Sequence, residues 1–276
     1  MIDTALGGFN YLPSRHALPT PNSMEDFRLN QLSNNWSQGP EIARGGVSRV
    51  HHVIYRGLPS QHIIKIFTPD RNNAENQFLT HVKALSILRD NGLSNIVAPA
   101  LVDYGVLGST PVIIEKRMEK VFHTEGEFFA YIKSLTIEQR VQYLKNLAQT
   151  MSQAALCGVY PYITKGSNLF ITKYGGVGIL DYGRSYINNY PPSQGQTIYF
   201  DEFDTKKKEN RHCAGTNSFI KHVQYLEDEG LCTVNGVGTS FQRVAGMRTI
   251  IKKHKENPIK VEELVKEVSV LHVESF

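Results

Sequence analysis

Cysteine is scarce in this chain: Cys157, Cys213 and Cys232 are the whole complement of 276 residues, odd in number and widely spaced. No C-x-x-C pair or His/Cys cluster has zinc-ligand spacing, so a reduced interior is expected rather than a disulfide framework or a zinc site. Long apolar runs are missing as well. No window approaches the roughly 18 consecutive apolar residues of a membrane-spanning helix. The N-terminus has no basic cluster followed by an apolar run, so no standard secretory signal is expected. Charge of one sign does not dominate: 30 Lys+Arg against 26 Asp+Glu leave a net +4, too mild to point to nucleic acid. No internal repeat is visible. What is present is ordinary globular material, 41% hydrophobic and 20% charged, with length for one large domain or two lobes.

Residues 1–38 are rich in Asn, Ser, Pro and Gly ("LPSRHALPTPNS", "NQLSNNWSQGP"). They read as a polar, loosely ordered extension packing locally through Trp36, with an interaction arm or an unconventional export signal as alternatives. His51-His52 is the one histidine pair; neighbours on a strand face opposite ways, which predicts surface residues rather than a metal site.

From about residue 40 the pattern is extended: "PEIARGGVSRVHHVIYR" with a turn at Gly45-Gly46, then "QHIIKIF". Phe78, Val82, Leu85 and Leu88 then recur at helical spacing, with Gly92 as the stop. "VAPALVDYGVL" and "TPVIIEKRM" read as two further strands. Thr136-Ile137-Glu138-Gln139 fits a capping box before an apolar stripe of Val141, Leu144, Leu147, Ala148, Met151 and Ala155, which Gly158 ends. "ITKGSNLFITKYGGVGILDYG" reads as loop, hairpin and Asp-Tyr-Gly, with Asn168 and Asp181 at the hairpin's ends. About 186–214 reads as a long polar loop, and the C-terminus as two helical pieces split before Pro258, with Val261, Leu264, Val265 and Val268 on one face.

This order of elements, over roughly residues 40–220, resembles the protein kinase-like fold. "ARGGVSRV" (43–50) is similar to that family's glycine-rich loop, whose amides cover nucleotide phosphates. Gly45 matches the central glycine and Val50 the adenine-packing valine, with Ala43 and Ser48 replacing two glycines. A plain Gly-Gly hairpin turn explains the same residues. "HIIK" is similar to V-A-I-K, which makes Lys65 the phosphate lysine and Ile63 the replacement for alanine. A lysine in an apolar strand needs a partner. The resemblance supplies Glu75, at the start of the first helix, and an edge strand that lets Lys65 reach solvent is the alternative. "VIIEKRM" (112–118) resembles the strand entering the interlobe hinge, with Ile114 guarding a back pocket and Glu115 and Arg117 offering hinge backbone to the purine.

"ITKGSN" followed by "GILDYG" resembles the catalytic loop D-x-K-x-x-N and the D-F-G segment. The resemblance implies that Asn168 and Asp181 hold Mg²⁺ and that Lys165 sits on the transferring phosphoryl group, and the hard oxygen ligands suit that ion. One part departs. Where the family has its catalytic aspartate this chain has Ile163, and no Asp or Glu occurs from Gly158 to Leu180. "HCAGTNSF" resembles the end of an activation segment, with Thr216 as its threonine, and Lys206-Lys207-Lys208 falls inside that loop.

The expected fold is therefore α+β: a bilobal kinase-like arrangement with a small antiparallel-sheet N-lobe carrying one helix (39–118) and a shortened, mainly helical C-lobe (119–276). The resemblance implies ATP and Mg²⁺ as cofactors, with Lys65, Lys165 and Asp181 as catalytic residues. Gly45, Val50, Lys65, Glu75, Glu115 and Arg117 would bind the cofactor, and Asn168 and Asp181 the metal. Two functions stay open: a divergent Ser/Thr kinase or related phosphoryl or nucleotidyl transferase acting on protein, with Asp201 or Asp204 as candidate surrogate bases, and a pseudokinase acting as a binding or allosteric module. Nucleic-acid binding is the third and least favoured class. A location in the cytoplasm, or delivery to a host cytosol as a bacterial effector or viral protein would be, is the expectation that goes with the resemblance.

Overall fold

The computed structural model describes residues 19–68, 74–163 and 165–187, with short pieces at 197–198, 222, 226, 233–234, 259–260 and 273–274. The fold is α+β, an antiparallel sheet accompanied by few helices. Five strands form the sheet: β1 (Trp36–Arg44), β2 (Ser48–Tyr55), β3 (Leu58–Phe67), β4 (Leu101–Leu107) and β5 (Thr110–Lys116), in the order β1-β2-β3-β5-β4 and antiparallel throughout. The helix α1 (Met24–Leu29) precedes the sheet, and α2 (Ala74–Asp90) joins β3 to β4.

Alternation along the strands divides the sheet's side chains between two apolar clusters. Trp36, Val53, Ile64, Val112 and Ile114 gather in one, with Leu32. Phe67, Tyr104 and Ile113 pack in the other with the buried stripe Phe78, Val82, Leu85 and Leu88 of α2. Gly92, at φ +73°, follows the end of α2 in the left-handed conformation that glycine supplies at helix ends.

The expected loose extension is corrected for residues 19–38. Ser23 and Asp26 form a reciprocal capping box that starts α1. Phe27 is fully buried, its ring 5.2 Å from Tyr104 and 6.3 Å from Phe78. Trp36 is already inside β1. The preceding chain adds a parallel bridge, Gln31 to Val106, on the free edge of β4. Residues 1–18 lie outside the described residues. His51 is also corrected: it is buried beside Gln38, Nε2 of the amide standing 3.1 Å from its Nδ1, while His52 is half-buried.

Beyond the sheet come β6 (Lys120–Val121), α3 (Glu125–Ser134), α4 (Ile137–Leu156), β7 (Val159–Tyr160), a 3-10 turn (Gly166–Asn168), β8 (Leu169–Ile171), β9 (Val177–Ile179) and β10 (Tyr186–Ile187). α3 has no counterpart in the sequence reading, although Thr124 and Glu127 cap it in the pattern that announces α4. The capping box of α4 forms as read: Gln139 N–H donates to Thr136 Oγ1 at 3.3 Å and Thr136 N–H to Gln139 Oε1 at 2.9 Å. Leu144, Leu147 and Met151 are buried, while the side chains of Val141, Ala148 and Ala155 lie outside the described residues. β6, β8 and β9 make a small sheet, and β7 pairs with β10. One buried cluster runs unbroken from α2 and Ile113 to Leu147, Met151, Ile179 and Tyr182.

Ile259–Lys260, directly after Pro258, is extended and pairs with Thr197–Ile198, and Thr233–Val234 pairs with Val273–Glu274. A helix beginning at Pro258 is thereby corrected. Cys213, Cys232, Asp201, Asp204, Lys206-Lys207-Lys208, Thr216, Val261, Leu264, Val265 and Val268 lie outside the described residues. Cys157 is a free, half-buried thiol whose pKa burial pushes up. No described helix is long and apolar enough to cross a membrane.

His222 is fully buried between Phe128 and Tyr143, 2.9 Å from the Tyr143 hydroxyl. Burial pulls its pKa down from 6.5 to about 4, against the raising influence of Glu125. The unfolded chain therefore takes up a proton as pH falls through 6.5, while the folded chain does not until about 4. Stability drains away across that window, by about 3 kcal/mol for a shift of this size. Urea unfolding between pH 7 and 4 is expected to show this loss in the wild type, and His222→Gln to lack it; parallel curves would count against the assignment.

Candidate functional site

A cavity of about 550 Å³ opens between the large sheet and the β8–β9 hairpin. Its roof is the β1–β2 turn, where Gly45 N–H donates to Ser48 O at 2.8 Å and both Gly45 and Gly46 face the space. Val50, Ile63 and Ile113 give it an apolar wall, and Lys65 projects from β3 beside them. Lys165, Asn168 and Asp181 line the opposite side.

The hairpin holds Asn168 and Asp181 near one another through its own backbone. Leu180 N–H donates to Asn168 O at 2.7 Å, one residue before Asp181. Both oxygens of Glu125, at the start of α3, accept from the 3-10 turn: Gly166 N–H at 3.0 Å and Ser167 N–H at 2.9 Å. Asp181 stands between two anchored neighbours. Leu180 O accepts from Lys65 Nζ at 3.0 Å. Tyr182 N–H donates to His81 Nδ1 at 2.9 Å, and its hydroxyl to Val97 O at 3.1 Å. The Asp181 carboxylate itself is half exposed and accepts Gly183 N–H at 2.9 Å.

Of the residues singled out by sequence, Gly45, Val50, Lys65, Arg117, Lys165, Asn168 and Asp181 all line this cavity. Glu75 does not. Its carboxylate pairs with Arg28 of α1 on the exposed side of α2. The reason is helical phase: Ala74, Phe78, His81, Val82 and Leu85 are the buried face, and Glu75 lies off it. The expected Lys65–Glu75 pair is replaced by Lys65–Glu115, with Nζ to Oε1 at 3.0 Å.

Two hinge assignments are corrected with it, while Arg117 lines the cavity with its N–H engaged elsewhere. Glu115 lies within β5, opposite Ile63 on β3 and Leu101 on β4, and its side chain is fully buried. Ile114 packs in the cluster of Trp36 and Ile64, so Ile113 is the residue on the cavity wall. Arg117 N–H is taken by Gln61 O at 2.9 Å.

Burial alone would raise the pKa of Glu115. The charge of Lys65 and the hydrogen bonds from Lys65 and His81 outweigh it, and the net shift is downwards. A carboxylate is thus kept ionised in the core to hold a lysine beside a cavity.

The sequence matches no family model and no curated protein.

Ile163, at the position where the resemblance places an acid, is fully buried in the core and does not line the cavity. Among the described residues, Asp181 and Glu119 are the carboxylates on its wall. No group of three or more His, Cys, Asp or Glu is placed to hold a metal among the described residues. Asn168 and Asp181 supply an amide oxygen and a carboxylate, a donor pair that suits a cation completing its shell with phosphate and water. The sequence reading assigns no role to His81, Glu125 or Tyr182, the last quoted only within Asp-Tyr-Gly. His81 had a signal, since it follows Phe78 by three residues on the apolar face of α2.

Proposed function

We propose that the protein binds magnesium-bound ATP in this cavity, as a divergent, bilobal member of the protein kinase-like fold. One observation carries the reading: a single cavity collects the Gly45-Gly46 turn, Lys65, Lys165, Asn168 and Asp181. Backbone amides at a glycine turn and two ammonium groups suit the phosphates. Val50, Ile63 and Ile113 suit a flat apolar base. Asn168 and Asp181 are the residues that would hold Mg²⁺, which when bound neutralises phosphate charge. In this reading the five-stranded sheet with α2 is the small lobe, and residues from 119 onward begin the larger one.

Transfer of a phosphoryl or nucleotidyl group to a protein acceptor is the activity this arrangement favours, because such transfer rests mainly on positioning and electrostatics. A positioned base is worth about 10²–10⁴ in rate, so transfer without one at Ile163 is expected to be slow. The full burial of Ile163 favours a second reading, a pseudokinase that binds nucleotide without turnover.

Thermal unfolding with ATP, with and without Mg²⁺, tests the common ground. At about 100 times Kd, ATP stabilises by about 2.7 kcal/mol, a rise of about 5–10 °C in Tm. Asp181→Ala is expected to abolish the Mg²⁺-dependent part of that rise. No shift in the wild type under either condition would sink the reading. Transfer of labelled phosphate or nucleotide to protein acceptors, lost in Asp181→Ala, separates enzyme from pseudokinase.

A further inference from the structure

Beneath the cavity wall lies a buried polar group of three side chains drawn from different elements. Lys65 comes from β3, Glu115 from β5 and His81 from α2. The backbone fixes the state of the imidazole. A peptide N–H can only donate, so Tyr182 N–H at 2.9 Å requires a lone pair on His81 Nδ1 and leaves the ring proton on Nε2. Nε2 lies 2.5 Å from Glu115 Oε1 and donates to it. The Lys65 ammonium stands 3.0 Å from Nε2 but carries only donors, so its partners are Glu115 Oε1 and Leu180 O, each at 3.0 Å.

We propose that His81 is the positioning residue of the site: one imidazole that fixes the Lys65–Glu115 pair and the backbone carrying Asp181 in a single register. The proposal rests on the nucleotide reading, in which Lys65 grips phosphate and Asp181 the cation. The lysine's carboxylate lies on the adjacent strand, where β3 and β5 pair Lys65 with Ile113 and Ile63 with Glu115. That ion pair belongs to the sheet itself. What α2 brings is the imidazole, and through it the cation side of the cavity is tied to the phosphate side. His81 touches no reacting atom in this scheme; it acts through Glu115 and Tyr182.

Two near-isosteric replacements separate the two bonds. His81→Gln keeps a donor near the place of Nε2 and loses the acceptor for Tyr182. His81→Asn keeps an acceptor near the place of Nδ1 and loses the donor to Glu115. The Gln variant is expected to speed amide exchange at Tyr182 and to weaken only the Mg²⁺-dependent part of ATP binding, each about tenfold, the size of one lost hydrogen bond. The Asn variant is expected to keep Tyr182 protected and to weaken ATP binding equally with and without Mg²⁺. Identical behaviour of the two variants overturns the proposal, since an imidazole that merely fills space cannot tell them apart. The ring nitrogens of His81 in the wild type are a second measurement, independent of how the variants fold. Their ¹⁵N shifts are expected to show the proton on Nε2, and a proton on Nδ1 overturns the proposal. The exchange and ¹⁵N results need no nucleotide. If they hold while the wild type fails to bind ATP, the nucleotide reading falls and the role of His81 in ordering the Asp181 segment stands.

Discussion

Lys65→Met is expected to destabilise the protein by about 3–5 kcal/mol, because removing one partner of a buried pair leaves the other charge uncompensated. Glu115 is completely buried and the Lys65 side chain is 13% exposed. With the ammonium gone, His81 is the remaining donor to the carboxylate, and burial becomes the dominant influence on its pKa. The sign of the pH dependence follows. In the wild type the folded pKa of Glu115 lies below its ordinary value of 4.5. Its contribution is therefore complete above that value and is lost as pH falls through the folded pKa. In Lys65→Met the folded pKa rises above the unfolded one, and keeping the carboxylate ionised at neutral pH costs stability that protonation relieves. The gap between wild type and variant is thus expected to be widest near pH 7 and to narrow toward pH 4. Lys65→Met/Glu115→Gln is expected to recover most of the loss, since a glutamine carbonyl still accepts from His81. Urea unfolding at several pH values measures all three proteins. A pH-independent gap, or a double variant no better than the single, would show that Lys65 and Glu115 do not act as a pair.

The pairing of Lys65 also marks the limit of what local sequence patterns carry. The strands, the stops at Gly92 and Gly158 and the capping box at Thr136 are local signals, and the chain obeys them. Gly158 stands at φ +79°, as a glycine ending a helix commonly does. The cavity residues were legible because turn, strand and hairpin each carry their own short pattern. Partners across the fold were not. The nearest helix carboxylate in the chain is Glu75, but three-dimensional proximity is set by the phase of α2 and the register of β5. One residue along β5 turns a side chain to the other face, which is why Ile113 rather than Ile114 meets the cavity. The segment 19–38 was misread for a related reason. Phe27, Leu32 and Trp36 are too far apart to show a period, and Phe27 and Leu32 are seated against a strand edge more than sixty residues further on.

That edge is the site of the second large effect, expected for Gly105→Ala. Gly105 in β4 has φ +146°, a conformation that side chains rarely adopt, and a Cβ there would come within 1.8 Å of Asn30 O. The obstacle is backbone. Asn30 O accepts Val106 N–H at 3.0 Å, and Leu32 N–H donates to Val106 O at 3.1 Å. Asn30 also bonds Tyr104 O through its side-chain amide. The chain cannot retreat without giving up these bonds and lifting Phe27 from between Tyr104 and Phe78. Strain of about 1–3 kcal/mol combines with the exposure of one large aromatic, about 1.5–3 kcal/mol, so a loss of about 3–5 kcal/mol is expected. A double-mutant cycle identifies the cause. Phe27→Ala in the wild-type background is expected to cost about 3–5 kcal/mol on its own, and much less once Gly105→Ala has already displaced the segment. Additive losses would mean that α1 stays docked and that the strain is absorbed within β4 alone.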